Sequence, residues 1–447
     1  MAASIQETDY ERPGDPDASR RRTRVGSCRP WIVSDCSTFI PPFTAGGTER
    51  QLSELARQLE LCGAEVTVVV RNSPEWPSGA TPPTVAHLRT RYVPPAPVPK
   101  GTGWAALGPN LRYIVGTLRQ LLRARREYDV LIVSGFKQLG LPISLLARIV
   151  RKPCFLRIDA AWDLDDQLTP ESNARIGWRA QRLASATIRA SRRAAFRLAH
   201  GLVAFSDPLE RRLVELGAAP AKIRKIPNGV DTGRFAPAAP GEKVAQRRAL
   251  GLPTDRALFI YTGRICRAKG LLELMQTWER IADRKDVYLL LVGSGAHTHE
   301  SCEPEVREMV ARHPESMGWV GGAVDNVAQY LQAADVFIFL SYFESFGLSI
   351  VEAVSAGLPC IVSDVGCARQ TVRHHESGAI VAPYAAPEEV LREINWVLAQ
   401  RDRWSAMGAL GRATVVEAFD MQAVARRYLG LFETVGGSED PPSPRPA

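Results

Sequence analysis

An apolar run is followed by a turn and a helix-like stretch in Val336-Phe-Ile-Phe-Leu-Ser-Tyr-Phe-Glu-Ser-Phe-Gly-Leu-Ser-Ile-Val-Glu-Ala353. The apolar run Val336–Leu340 predicts a buried strand, and Leu348–Ala356 predicts a helix. The turn between them contains Gly347, a small and flexible residue that suits a tight connection. A strand that leads directly into a helix is the repeating unit of parallel α/β sheets.

The same junction carries groups that suit a charged ligand. The first N–H groups of a helix have no partner within the helix, and together with the helix dipole they favour a phosphate. Glu344 lies just before the predicted helix, where we expect it to point into a cleft, and Glu352 lies about one turn inside it. Both carboxylates can accept hydrogen bonds from sugar or ribose hydroxyls. For Glu352 the ordinary alternative is an acid that simply stabilises the start of a helix.

The alternation of strand and helix repeats over residues 31–385. The predicted strands are Trp31–Ser34, Glu65–Val70, Val130–Ser134, Cys154–Ile158, Leu202–Phe205, Leu258–Thr262, Val287–Val292, Val336–Leu340 and Cys360–Val362. The predicted helices include Thr48–Cys62, Leu141–Val150, Leu271–Ala282 and Leu348–Ala356. Near-continuous Val, Ile and Leu in the strands indicates parallel sheets that helices cover on both faces. Because one parallel sheet does not readily accommodate so many units, we predict two sheets.

A break in the periodicity at residues 215–255 separates the two halves. Prolines and glycines interrupt the pattern there, as in a hinge: Pro220, Pro227, Gly229, Gly233, Pro237, Pro240 and Gly241. We therefore predict an α/β protein with two doubly wound, Rossmann-like domains that face each other across a cleft, at residues 28–217 and 218–410. A helix at residues 411–435 is predicted to cross back to the first domain, and residues 1–27 and 436–447 are predicted to be disordered tails.

The composition excludes several classes of protein. The chain has 447 residues, too many for one ordinary domain, and its 45% hydrophobic and 23% charged residues are typical of a globular protein. The formal net charge of +8 suits an anionic ligand or membrane surface. No apolar run approaches about 18 residues, and no secretory signal is recognisable. The eight scattered cysteines are typical of a cytosolic protein without a zinc site.

A second motif, Gly263-Arg-Ile-Cys-Arg-Ala-Lys-Gly270, follows the predicted strand Leu258–Thr262. Arg264 and Lys269 on this connection can place two cations over one diphosphate, since arginine offers a planar fork of donors and lysine a mobile point charge. The ordinary alternative is a solvated charged loop.

Glycines mark two further turns. Gly46 and Gly47 lie between the first strand and its helix, where they allow the backbone to approach a ligand closely, although such a pair is more often a simple turn. Gly293 lies in Val292-Gly-Ser-Gly295. This is not a dinucleotide-binding fingerprint, because the third glycine of that pattern is absent.

Together these motifs resemble the family 4 retaining glycosyltransferases of the GT-B fold. The resemblance depends on Glu344-x7-Glu352, on Ala-x-Gly-Leu-Pro at Ala356–Pro359 and on Gly-Arg-x4-Lys-Gly at Gly263–Gly270. It implies transfer of a sugar from a nucleoside-diphosphate sugar to an acceptor hydroxyl, with retention at the anomeric carbon and with neither a cofactor nor a metal. The acceptor would be a sugar, a lipid-linked sugar or a small molecule, in polysaccharide, glycolipid or glycoconjugate biosynthesis.

The resemblance also implies a role for each matching residue. Cations and backbone amides would hold the diphosphate, glycines of the first domain would close on it, and the carboxylates would hold the ribose and the donor sugar. The diphosphate would be held by Arg264, by Lys269 and by the amides around Ser345, Phe346, Gly347, Leu348 and Ser349. The cleft would be lined by Gly46, Gly47 and Gly293. Glu352 would bind the ribose and Glu344 the donor sugar.

One position departs from the family pattern. The family usually carries a histidine at the end of the strand that here reads Phe155-Leu-Arg-Ile-Asp159, and Asp159 falls at that place. A carboxylate accepts hydrogen bonds from sugar hydroxyls but cannot act as a neutral imidazole does. Asp159 either contacts the donor sugar in place of the histidine or reflects a different sugar or subfamily. We expect Arg157 to point to the other side of the strand.

Other functions compete with this one. Asp163-Leu-Asp165 is similar to the metal-binding motif of another glycosyltransferase architecture, which the remaining motifs contradict. A sugar-nucleotide epimerase of the same fold would need its own base or a cofactor lysine, for which there is no motif. A non-catalytic protein that binds a nucleotide sugar remains an alternative.

Arginines concentrate in the predicted first domain, seven of them in residues 175–197 and others at Arg119, Arg123, Arg125 and Arg126. Among apolar residues they would suit anionic lipid headgroups, so a cytoplasmic protein in peripheral contact with a membrane is one expectation. The more ordinary alternative is a solvated helix face. No motif for nucleic-acid binding accompanies them.

Overall fold

The computed structural model describes residues 28–34, 47–71, 89–93, 104–159, 164, 178–239, 241–296, 300–322, 324 and 326–436. Gly46, the acidic pair Asp163 and Asp165, and residues 1–27 and 437–447 lie outside these ranges, so the predictions for them stay predictions.

The first sheet contains seven parallel strands in the described part of the chain, in the order β3-β2-β1-β4-β5-β6-β7. Its strands are β1 (Pro30–Ser34), β2 (Thr67–Arg71), β3 (Arg89–Val93), β4 (Val130–Ser134), β5 (Cys154–Arg157), β6 (Gly201–Ala204) and β7 (Ile223–Lys225). Its helices are α1 (Gly47–Leu61), α2 (Trp104–Arg123), α3 (Phe136–Ile149), α4 (Trp178–Leu198) and α5 (Asp207–Glu215). The central strands are buried throughout, as expected for a parallel sheet covered on both faces.

The second sheet contains six parallel strands in the order β10-β9-β8-β11-β12-β13. Its strands are β8 (Ala257–Thr262), β9 (Val287–Val292), β10 (Met317–Val320), β11 (Val336–Phe339), β12 (Cys360–Ser363) and β13 (Gly378–Val381). Its helices are α6 (Glu242–Ala249), α7 (Leu271–Glu279), α8 (Glu303–Arg312), α9 (Val327–Ala333), α10 (Leu348–Ser355), α11 (Ala368–Thr371) and α12 (Pro387–Ala399). The prediction of two doubly wound sheets is confirmed, and we call them with their helices the N-terminal and C-terminal lobes.

The four edge strands, β3, β7, β10 and β13, were not among the predicted strands. An edge strand has only one neighbour, so in β3, β7 and β10 part of the strand stays exposed and the sequence lacks a continuous apolar run. β13 differs, because it reads Gly-Ala-Ile-Val and is largely buried. In β7 two of the three residues are exposed, and β3 is fully buried only at Val93. β7 lies beyond the boundary predicted at residue 217, yet it pairs with β6 in the N-terminal sheet.

The C-terminal segment predicted as one helix forms two, α13 (Trp404–Phe419) and α14 (Met421–Gly436). Asp420 separates them because its backbone is extended and its carboxylate accepts hydrogen bonds from the amides of the next turn. The predicted return to the first lobe is confirmed, since α14 packs on α1 and the ring of Phe432 lies 6.4 Å from that of Phe155.

The chain passes between the lobes twice, and the two crossings lie side by side. Val230 donates its N–H to Phe419 at 2.8 Å, and Met421 donates its N–H back to Val230 at 3.0 Å. Gln51 of α1 also donates to the carbonyl of Gly229 at 2.9 Å. The segment predicted as a hinge is therefore hydrogen-bonded both to α1 and to the second crossing. Within the described ranges, no helix is both long and apolar enough to span a membrane.

Candidate functional site

The carboxyl edge of the C-terminal sheet brings two predicted motifs together. After β8 the chain passes through Arg264 into a short 3₁₀ turn, Arg267–Lys269, and then into α7. Gly270 has φ +67°, and a Cβ atom there would lie 1.9 Å from the carbonyl oxygen of Leu340 at the end of β11. Only glycine fits this place. Tyr342 donates its N–H to Ala268 at 3.1 Å, which joins the two loops directly.

Lys269 and Glu344 form an ion pair at this junction. The Nζ of Lys269 lies 2.5 Å from Oε1 of Glu344, and their side chains are 14% and 15% exposed. The same Nζ lies 5.8 Å from the centre of the Phe339 ring. Lys269, which is predicted to bind the diphosphate, and Glu344, which is predicted to bind the donor sugar, therefore neutralise each other's charge in a partly buried position.

Arg264 is joined to the same junction through Tyr261. Its side chain is exposed and makes no hydrogen bond or ion pair within the described residues, while its carbonyl accepts from the Tyr261 hydroxyl at 2.7 Å. Tyr261 stacks on Phe339 at 5.6 Å. Burial raises the pKa of Tyr261 well above its usual range, Glu344 adds to the rise and Arg264 opposes it. Both charged motifs thus lie within electrostatic reach of one buried tyrosine.

The start of α10 faces the same edge. Gly347 has φ +96° and occupies the N-cap position, and among the described residues no side chain caps the first amides of Leu348 and Ser349. The backbone before it is fixed by Gly366, where a Cβ would lie 2.1 Å from the carbonyl oxygen of Phe346, and by the N–H of Cys367, which donates to that oxygen at 2.7 Å. The uncapped amides predicted to receive phosphate are therefore held rigidly.

The predicted residues Ser345 and Phe346 contact the other lobe. The Phe346 side chain is buried and meets the ring of Phe205 edge to face at 6.5 Å. The hydroxyl of Ser206 donates to the carbonyl of Ser345 at 2.9 Å. The ring of Phe346 and the carbonyl of Ser345 therefore help to hold the lobes together.

Two of the predicted glycines, Gly293 and Gly47, lie where another segment of the chain comes very close to their backbone. A Cβ on Gly293, whose φ is +146°, would lie 1.8 Å from the carbonyl oxygen of Gly263, so this turn supports the loop that carries Arg264. A Cβ on Gly47, at the start of α1, would lie 2.8 Å from Cδ1 of Leu348. The N-terminal glycine turn thus reaches the start of α10, where the phosphate is predicted.

Glu352 lies on α10 where the lobes meet. Burial raises the pKa of its carboxyl group, while Arg50 of α1 and Arg234 beside the crossing lower it. Its carboxylate has no hydrogen bond or ion pair with any residue that the structure describes. Sequence reasoning gave neither arginine a role, although Arg50 lies three residues after Gly47 in the stretch Ala45-Gly-Gly-Thr-Glu-Arg50.

Asp159 ends the strand that faces this site from the N-terminal lobe, and its neighbour Arg157 was placed wrongly. Alternate residues of a strand share one face, so residues two apart point the same way. Nε of Arg157 donates to Oδ1 of Asp159 at 2.7 Å, and the hydroxyl of Ser134 on β4 donates to Oδ2 at 2.5 Å. Asp159 lies at the predicted place, but it is held in a buried ion pair that the sequence did not predict.

A cluster of two histidines and a glutamate has the side chains of a metal site but not the free lone pairs. His374, His375 and Glu393 bring potential ligand atoms within 4.8 Å of one another, and they form the only such cluster in the described ranges. Nδ1 of His374 accepts the N–H of Ile380 at 3.0 Å. This hydrogen bond places the ring proton on Nε2, so His374 lacks the lone pair that a metal needs. The cluster also precedes β13, at the opposite end of the sheet from Glu344.

Comparisons with known proteins identify the family. The family described as Glycosyl transferases group 1 matches residues 242–414, and Glycosyltransferase Family 4 matches residues 45–234. A D-inositol 3-phosphate glycosyltransferase of Kineococcus radiotolerans is 30% identical over 87% of this chain and 90% of its own length.

Solved structures show the same fold. A sucrose-phosphate synthase from Thermosynechococcus elongatus superposes with a TM-score of 0.71 at 22% identity, over 91% of this chain and 99% of that one. HepE of Anabaena, in complex with UDP-glucose, superposes with a TM-score of 0.66 at 16% identity, over 91% and 99%. With both lobes matched and the predicted motifs gathered at one sheet edge, the chain belongs to the family 4 glycosyltransferases of the GT-B fold.

Proposed function

We propose that this glycosyltransferase moves a sugar from a nucleoside-diphosphate sugar to an acceptor hydroxyl with retention at the anomeric carbon. The proposal rests on one observation. At one edge of the C-terminal sheet lie Arg264, the Lys269–Glu344 pair and the uncapped start of α10. Two cations and a helix start suit a diphosphate, and a neighbouring carboxylate suits the hydroxyls of the attached sugar.

Negative charge develops on the departing diphosphate during this reaction, and the enzyme has to stabilise it. Arg264, Lys269 and the amides of Leu348 and Ser349 would stabilise that charge through fixed positions, which lowers the barrier electrostatically. When the donor binds, the diphosphate would replace Glu344 as the partner of Lys269. Glu344 would then accept from a sugar hydroxyl, and the departing phosphate is a candidate to accept the acceptor's proton.

The interlobe contacts support closure over the donor. Gly47 already approaches Leu348, and Ser206 donates to Ser345 across the cleft. Closure of this kind excludes water and so favours transfer to the acceptor over hydrolysis. Glu352, sheltered at the lobe junction and facing Arg50 and Arg234, would accept from the ribose hydroxyls.

The names of similar proteins guide the proposal for the substrates. HepE is bound to UDP-glucose, and two relatives are named for a phosphorylated sugar or polyol, inositol 3-phosphate and sucrose phosphate. We therefore favour a sugar phosphate or polyol phosphate as the first acceptors to test, with lipid-linked sugars next. A role in polysaccharide, glycolipid or glycoconjugate biosynthesis would follow from the acceptor identified.

The test combines binding with turnover. A thermal-shift screen of UDP-, ADP- and GDP-sugars should reveal one donor that raises the Tm, and release of nucleoside diphosphate should then require an acceptor. NMR of the product should show the anomeric configuration of the donor, and chelation with EDTA should leave the rate unchanged. An inverted product, or a rate abolished by EDTA and restored by a metal, would overturn the corresponding part of the proposal.

A non-catalytic protein that binds a nucleotide sugar is the second candidate, because Asp159 replaces the family's usual histidine. The two differ in one measurement. If a donor binds, no acceptor in the panel supports turnover, and Glu344→Ala changes nothing, the non-catalytic function is the better one.

Peripheral contact with an anionic membrane, at a cytoplasmic surface, is a further proposal. Leu145 and Ile149 on α3 and Leu183 on the adjacent α4 are 50%, 69% and 70% exposed, and the exposed Arg182 and Arg193 accompany them. Another arginine of the cluster, Arg192, is buried and donates to the carbonyl of Leu164 at 2.8 Å, so it is not part of this face.

Co-sedimentation with phosphatidylglycerol vesicles tests the membrane proposal. Reversing Arg182 and Arg193 to glutamate should weaken binding, and salt should weaken it in the same way. The matched control reverses Arg211 and Arg212, which are exposed on α5. Equal binding by all variants would favour the ordinary solvated helix face.

A further inference from the structure

A buried ion pair lies at the carboxyl edge of the N-terminal sheet. Arg157 is 1% exposed, and the side chain of Asp159 is 6% exposed. Protein groups already occupy both carboxylate oxygens, with Arg157 at Oδ1 and Ser134 at Oδ2. Burying two charges costs desolvation that their attraction often only just offsets, so stability alone does not account for the pair.

The other end of the guanidinium reaches the crossing between the lobes. Nη2 of Arg157 donates to Oδ1 of Asn228 at 2.8 Å, and Asn228 is itself buried. The next residue, Gly229, accepts from Gln51 of α1, and Val230 pairs with the second crossing at Asp420. One planar side chain therefore joins the sheet edge to the segment about which the lobes would move.

Two aromatic side chains extend these contacts to the rest of the interface. The guanidinium carbon of Arg157 lies 4.8 Å from the ring centre of Phe205, which meets Phe346 of the C-terminal lobe. Tyr428 of α14 is buried near the pair: burial raises the pKa of its hydroxyl, Arg157 opposes the rise and Asp159 adds to it. Arg157 thus lies among β5, the first crossing, α14 and, through Phe205, the loop that carries Glu344.

We propose that Arg157 is a positioning residue that couples the placement of Asp159 to the relative position of the lobes. The fork of Arg157 holds Asp159 with Nε and Asn228 with Nη2, so the crossing cannot shift without moving one of these contacts. Asp159 acts in this arrangement as the counter-charge of Arg157, with its orientation set by the crossing. The inference rests on the proposed function, because its consequence is measured in sugar transfer.

The experiment compares Arg157→Met, Arg157→Lys and Asn228→Ala with the control Arg224→Met, an exposed arginine on β7. Turnover is measured with the donor found in the screen, and UDP and ADP binding by calorimetry. Arg157→Met should lower kcat on the order of 100-fold, as misplacement by about 1 Å can do. Nucleotide affinity should change by less than about threefold, because the groups proposed to hold the diphosphate lie on the other lobe. Arg157→Lys should recover part of kcat.

Coupling supplies the second readout. If Arg157 acts through the crossing, Arg157→Met and Asn228→Ala together should lower kcat no more than Arg157→Met alone. Any of three results would overturn the proposal: additive losses of kcat in the double variant, an unchanged kcat in Arg157→Met, or a parallel fall of kcat, nucleotide affinity and Tm.

Should Arg157→Met fail to fold, Arg157→Met with Asp159→Asn removes both charges, and the same predictions apply. A wild-type protein that neither binds nucleotide nor releases it contradicts the proposed function, whereas an active wild type with unaffected variants contradicts this inference alone.

Discussion

At the carboxyl edge of the C-terminal sheet, Arg264 is exposed and the Lys269–Glu344 pair keeps 14% and 15% of its side-chain exposure. At the corresponding edge of the N-terminal sheet, Arg157 and Asp159 keep 2% and 6%. Charges that remain accessible can exchange a protein partner for a ligand. Charges that are buried and fully bonded hold parts of the protein in place. The comparison suggests that the C-terminal edge binds the donor while the N-terminal edge controls how the lobes meet.

The largest expected effect is at Lys269. Lys269→Ala should lower kcat by about 10²–10³, because one fixed charge that stabilises the departing diphosphate is lost. The measurement is release of nucleoside diphosphate at saturating donor. Arg267→Ala is the control, since Arg267 is exposed on the same turn and pairs with Glu305. Equal losses for both variants would mean that the charge of the turn matters and the position of Lys269 does not.

A second effect tests how rigidly the C-terminal edge is built. Gly270→Ala should lower the free energy of unfolding on the order of 2–4 kcal/mol, because the new Cβ meets the carbonyl of Leu340 and the backbone has positive φ. Gly217→Ala is the matched control: its φ is +92°, with no atom within 4 Å of the added Cβ, so it should lose about 1 kcal/mol. Urea denaturation measures both, and equal losses would show that the close approach is unimportant.

A third effect concerns Glu352 and pH. Its folded-state pKa is raised by burial, so the folded protein binds more protons than the unfolded chain above the ordinary glutamate range, and stability falls as pH rises through the folded pKa. Glu352→Gln removes this titration. The variant should therefore gain stability relative to wild type at pH 7 and gain less at pH 4, while its affinity for nucleotide falls. Unfolding curves at both pH values check the sign, and the opposite trend would mean that Arg50 and Arg234 outweigh burial.

The smallest effect is expected at the contact between lobes. Ser206→Ala removes the hydrogen bond to the carbonyl of Ser345 and the N-cap hydrogen bond that the same hydroxyl accepts from the N–H of Leu209. Together these losses should cost about 1–2 kcal/mol of stability and change kcat only a few-fold. Thr187→Ala is the control, because that hydroxyl bonds only to Leu183 within its own helix. A large loss of turnover in Ser206→Ala would move control of closure from the crossing to this contact.

The fold could be predicted from the sequence wherever a strand is buried on both faces. All nine predicted strands correspond to strands of the two sheets, because central parallel strands require continuous apolar residues. The edge strands β3, β7 and β10 escaped prediction for the converse reason, whereas β13 is apolar and largely buried and was missed without that explanation. The prediction of a single C-terminal helix was wrong at Asp420, which caps the next turn and pairs with the distant Val230.

The site divides in the same way. Arg264 and Lys269 lie in one short motif after β8, Glu344 and Gly347 lie in another after β11, and these strands are neighbours in the sheet. Each motif could be found locally, and the resemblance to the family predicted that the two meet. The hydrogen bond from Arg157 to Asn228 joins positions 71 residues apart, and Tyr428, whose pKa Arg157 lowers, lies still farther along the chain. No local pattern encodes such contacts, and only the folded chain brings these residues together.

The return of α14 to the N-terminal lobe has a consequence for dissecting the molecule. A fragment that ends after the first crossing would lose Tyr428 and Phe432, which cover Arg157 and Phe155. Such a fragment would expose apolar surface and aggregate, but a separately supplied peptide spanning Met421–Gly436 should restore it. The protein is thus better suited to split-fragment complementation than to expression as independent halves.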